Sequence, residues 1–78
     1  MMAALVFFRK VSESRDSVEY IFGFDPNDLP LRLLMDTRSR RSRPIEGEID
    51  YAFLKASRKI NALYEDGSQW PDHGMSVS

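Results

Sequence analysis

The spacing of apolar residues changes at Ile49, and that change limits what this chain can become. Before it, Val18, Tyr20, Phe22 and Phe24 alternate with other residues, as do Leu31, Leu33 and Met35. Alternation puts side chains of one kind on one face of a strand. After it, Ile49, Phe53, Ala56, Ile60 and Leu63 follow at intervals of four, three, four and three. That is the apolar stripe of an amphipathic helix, with Tyr64 beside it. At 78 residues the chain has room for one domain, 1–78. Strands and helix must therefore share one core.

The strand region divides at its turns. "ALVFFRKV" gives a first strand over about 4–11, and the polar "SESRD" breaks it. "SVEYIFGF" gives a second strand over about 17–24, so the two form a hairpin with a five-residue loop. "DPNDLP" is a turn: Pro26 fixes its own φ, and Asp25 and Asn27 can bond nearby backbone. "LRLLMD" is the third strand, over about 31–36. The helix is predicted over about 48–66, with Glu48 and Asp50 facing the positive end of its dipole. Gly67 suits the left-handed stop, and Lys55, Arg58, Asn61, Ala62 and Glu65 fall on the outward side. The tail, 67–78, looks too short for another element.

The predicted fold is α+β and two-layered: a three-stranded antiparallel meander packed on one C-terminal helix (βββα). One sheet face then lacks a covering layer. Ile21 and Leu34, with Leu5 or Val6, fall on that face and form a candidate association surface. Trp70, the only tryptophan, is expected to be at least partly buried and is a candidate to fold over it, unless a second copy does so.

Cysteine is absent, which removes disulfides, zinc ribbons, thiol catalysis and iron–sulfur clusters. A small domain without disulfides points to a reducing cytoplasm. "MMAALVFF" has no preceding positive charge and no cleavage signature, so it reads as strand rather than signal peptide. It is also far short of the roughly 20 apolar residues that span a bilayer, and no membrane role is expected.

The formal net charge of −1 conceals a basic middle: residues 37–59 carry seven basic and three acidic side chains. The basic loop, 37–47, holds Arg38, Arg40, Arg41 and Arg43. Arginines on a loop can grip phosphate, and Lys55, Arg58 and Lys59 would extend the patch if the loop folds toward the helix. No aromatic interrupts the run as in a stacking platform, and Glu46, Glu48 and Asp50 follow at once. The bland reading is a solvated loop whose arginines neutralise those carboxylates. The seven cations stand as a candidate site for an anionic partner.

Catalytic and metal signals are weak. Glu46, Glu48 and Asp50 straddle a helix start, where the dipole accounts for them. "DPND" lacks the remaining ligands of a calcium loop. His73 is the only histidine, no serine sits in a glycine-flanked elbow, and no glycine pattern cradles phosphate. Neither enzyme nor cofactor is expected.

Two segments carry a resemblance. "YIFGFDPNDLPLRLLMD" joins an aromatic strand to a proline-containing turn and a strand ending in aspartate. "KINALYEDGSQWPDHGMSVS" closes a helix into a Trp-Pro-x-x-Gly tail. In these the chain resembles a group of short uncharacterised actinobacterial proteins. The group brings no assigned activity, and its looser pattern lacks the dense arginine run. The expected function is therefore that of a small cytoplasmic domain binding another protein or itself. The alternative is a nucleic-acid-binding accessory protein using the arginine loop and basic helix face.

Overall fold

The computed structural model describes residues 5–77. The elements are β1 (Leu5–Glu13), β2 (Ser17–Gly23), β3 (Leu31–Asp36), β4 (Ser42–Pro44), α1 (Tyr51–Gly67) and β5 (His73–Val77). The strands form one sheet in the order β4-β3-β2-β1-β5, and every neighbouring pair is antiparallel. The α+β class with an antiparallel sheet and one helix is as the sequence predicts. The sheet, however, has five strands and not three.

The first added strand lies inside the predicted loop 37–47. The Asp36 carboxylate accepts hydrogen bonds from the backbone N–H groups of Arg38 and Ser39, both at 2.9 Å. Those bonds hold its pKa below the usual carboxylate range. Arg40 then takes a left-handed φ of 60° and returns the chain. Ser42, Arg43 and Pro44 pair with Met35, Leu34 and Leu33. Pro44 lacks a donor, which an edge strand tolerates.

The second added strand is the tail. Its residues pair along β1, from Arg9 with His73 to Leu5 with Val77. Gly74 makes this possible: a Cβ there would stand 2.7 Å from Phe8 Cζ. The chain thus passes against the tip of the Phe8 ring.

Boundaries move for local reasons. Residue 4, predicted as the start of the first strand, lies outside the described residues. β1 continues to Glu13 through a bulge at Val11, where the register shifts from Lys10–Tyr20 to Ser12–Glu19. Ser14–Asp16 are what remains of the expected five-residue loop. Phe24, predicted to share the inner face, is 59% exposed because β2 ends at Gly23.

The core lies between one sheet face and α1. Val6, Phe8, Val18, Tyr20, Phe22, Leu33 and Met35 meet Ala52, Phe53, Ala56 and Ile60. Phe22 and Phe53 approach with ring centroids 6.4 Å apart. Burying each ring is worth ~1.5–3 kcal/mol. The helix starts later than predicted because Asp50 is its N-cap, its side chain accepting from the Phe53 N–H at 3.0 Å. Ile49 and Glu48 therefore precede the helix, and Ile49 is exposed. Gly67 is the last helical residue. Ser68, not Gly67, takes the left-handed cap with φ 58°, its N–H donating to Tyr64 O at 2.6 Å.

Candidate interface on the uncovered sheet face

α1 packs on the face that carries Val6, Tyr20 and Leu33. Strand alternation and the observed register place Leu5, Phe7 and Arg9 of β1 on the opposite face. Glu19 and Ile21 of β2, Arg32 and Leu34 of β3, Arg43 of β4, and His73, Met75 and Val77 of β5 share it. Val6 is buried in the core, which settles the Leu5/Val6 alternative in favour of Leu5. No described element forms a layer over this face. Its apolar residues concentrate at the β1/β5 margin, where Leu5, Met75 and Val77 are 39%, 45% and 60% exposed. Ile21 and Leu34 are half-buried among charged neighbours.

Trp70 does not belong to this face. It is buried on the helix side and stacks on Tyr64 with ring centroids 4.2 Å apart. Pro71 extends that anchor, its carbonyl accepting from the Tyr20 hydroxyl at 2.7 Å. Burial pushes the Tyr20 phenol well above its ordinary range, helped by the charges of Glu13 and Asp72. The predicted burial of Trp70 is found; its expected place over the open face is not, because the chain turns at Ser68 back across the helix.

The seven candidate cations do not form one patch. Arg40 is tied into the fold. It contacts Glu65 at 3.2 Å, lies 5.8 Å from the Tyr64 ring centroid, and its carbonyl accepts from Asn61 Nδ2 at 3.1 Å. Asn61, predicted to face solvent, is thus spent docking the hairpin. Arg38 reaches Asp16 at 3.9 Å. At about 3.6 residues per turn, Ser57 and Asn61 stand on one flank of the buried stripe. They meet Ser42 and Arg40. Lys55 and Lys59 stand on the other flank and Arg58 faces outward, with Lys55 lying over the Tyr51 ring at 5.6 Å. Only Arg41 and Arg43 of the run line the open-face hollow beside Leu34. Those two, with Arg9, make no ion pair among the described residues. Arg32 on the same face contacts Glu46 at 2.8 Å and Glu19 at 3.6 Å.

The sheet ends differ in kind. β4 is three residues long and includes Arg43 and Pro44. β5 is five residues long, pairs only with β1, and contains no Lys, Arg, Asp, Glu or Pro. Among the described residues its outer N–H and C=O groups have no strand partner. Sequence reasoning missed Met75 and Val77, although their alternation after Gly74 carries a faint strand signal. A large groove of about 840 Å³ lies beside Trp70 on the other side. Its Lys10 is already paired with Glu13 at 2.6 Å and Asp72 at 3.2 Å, chiefly the Glu13 bond raising its pKa. Among the described residues no group of three or more His, Asp or Glu side chains could hold a metal ion. No helix there is long and apolar enough to cross a membrane.

The fold and this face define a small α+β domain with a half-covered antiparallel sheet, one of whose two edge strands, β5, carries no Lys, Arg, Asp, Glu or Pro. No protein-family model, curated protein or solved structure matches the chain.

Proposed function

We propose that the protein is a non-enzymatic binding domain of the cytoplasm whose partner is a second copy of itself, joined through β5. One observation carries the reading: β5 is an unprotected edge strand bordered by exposed apolar side chains. Unpaired strand edges recruit further strands, and proteins that stay apart blunt them with charge, proline or shortness. β4 has such features, whereas β5 has none. An antiparallel pairing centred on Met75 sets Gly74 against Ser76 and His73 against Val77. No like charges meet in that register, and the Leu5, Phe7, Met75 and Val77 margin runs on into its copy.

Sedimentation at high micromolar concentration tests this. The wild type should sediment as a dimer at both low and high salt, because apolar and backbone contacts are little screened. Met75→Glu should sediment as a monomer with an unchanged circular dichroism spectrum. A monomeric wild type would refute the proposal. The nucleic-acid alternative has its own signature. A shift of duplex DNA or RNA at low micromolar protein, falling steeply with salt and lost in Arg41→Ser/Arg43→Ser, would displace self-association as the leading function.

A further inference from the structure

Gly23 belongs to the open face by its place in β2, and the turn after it folds back over that face. A Cβ at Gly23 would lie 3.0 Å from Asp28 O and 3.0 Å from Pro30 Cδ. The turn is internally held: Asp25 Oδ1 accepts from the Asn27 N–H, and Asp25 O from the Asp28 N–H, both at 2.9 Å. It thereby raises Pro26 and Leu29 as a wall beside Phe7 and Met75, which are cross-strand partners. The resulting cavity has a volume of about 370 Å³. Its polar side chains are Arg9 and His73, themselves cross-strand partners one step along the same face.

Arg9 faces a histidine across the strands and not an acid, where an opposite charge would stabilise the sheet. Arg9 has no carboxylate partner among the described residues, whereas Lys10 and Arg32 each have two. The guanidinium offers a planar fork of donors matched to a carboxylate. Apolar walls with a few convergent polar groups are the general form of a small-molecule site.

We infer that this cavity binds a small monocarboxylate with an aromatic or short aliphatic body. The body lies between Phe7, Met75, Pro26 and Leu29, and the carboxylate lies on Arg9, with His73 beside it. One anionic group suffices, because the remaining lining is apolar. The cavity is formed within one chain, so this inference does not rest on self-association.

Titration of the ¹⁵N-labelled wild type with 2-naphthoate tests it, alongside 2-naphthamide as the neutral analogue. Naphthoate should bind with Kd on the order of 1 mM or tighter, as suits a ligand of this size. The amide shifts should concentrate at Phe7, Arg9, Leu29, His73 and Met75. Arg9→Gln should weaken naphthoate by about tenfold or more and leave naphthamide unchanged. Arg15→Gln, at an exposed cation outside this cavity, should change neither. Arg9 is exposed, so its replacement should not unfold the chain, and a thermal melt of each variant checks that. Saturation absent at millimolar naphthoate, shifts centred elsewhere, or naphthamide binding as tightly as naphthoate would each overturn the inference.

Discussion

Gly74 shows how one residue can decide an edge. It sits against the tip of the Phe8 ring, where a Cβ would approach Cζ to 2.7 Å. Gly74→Val should therefore lift β5 or displace Phe8. Overpacking of this kind typically costs ~1–3 kcal/mol, read as a lowered urea midpoint; an unchanged midpoint would show that the tail gives way freely. Arg40 makes the complementary case. Its φ of 60° would suit glycine or asparagine, yet its side chain reaches Glu65 and Tyr64 and its carbonyl holds Asn61. In the sequence it is indistinguishable from Arg38, Arg41 and Arg43. Nothing in local spacing separates an arginine that docks a hairpin from one that faces solvent, because the helix it meets lies far along the chain.

At the level of elements, legibility followed length and pattern. β2, β3 and α1 have several apolar residues at one period, and each was readable within a few residues. β4 and β5 were not. "SRP" is too short to show a period, and "HGMSV" has glycine and serine where an inner apolar face would stand. They are strands because β3 and β1 offer unpaired edges, which is a property of the neighbours. Two truncations separate the roles of the tail. Deleting 70–78 removes the Trp70 stack and β5 together and should unfold much of the population, since loss of a buried large aromatic alone costs ~3–5 kcal/mol. Deleting 73–78 keeps Trp70 and Pro71 and should lower the melting temperature by less. Equal losses from the two deletions would mean that Trp70 adds nothing beyond β5.

For the whole molecule, the join between tail and sheet gives a pH signature. Burial raises the Tyr20 phenol, which donates to Pro71, and the Glu13 hydrogen bond foremost raises Lys10. A group whose folded pKa exceeds its unfolded value stabilises fully below the unfolded value and loses that contribution as pH rises through the folded one. Both groups titrate at about pH 10 when unfolded, so stability should hold at neutral pH and fall above about pH 10. Tyr20→Phe should lose ~0.5–1.5 kcal/mol at neutral pH with its hydrogen bond, and then decline less steeply in alkali. Urea midpoints measured on both sides of the transition check this; parallel declines for variant and wild type would exclude Tyr20 as the cause. The candidate interface was half legible at this scale. Alternation alone puts Ile21 and Leu34 on the open face, whereas Trp70, a candidate for that face, lies on the helix side, and nothing local gathers Phe7, Arg9, Met75 and Val77. By itself the sequence determined the α+β class, the alternating strands, the helix stripe and the absence of cysteine chemistry, since these rest on local periodicity and composition. Only the tertiary structure decided the sheet order, the two edge strands, the side on which Trp70 lies and the scattering of the basic residues. Those depend on which edge and which face remain free after the core has closed, and that is settled by contacts between residues distant in the chain.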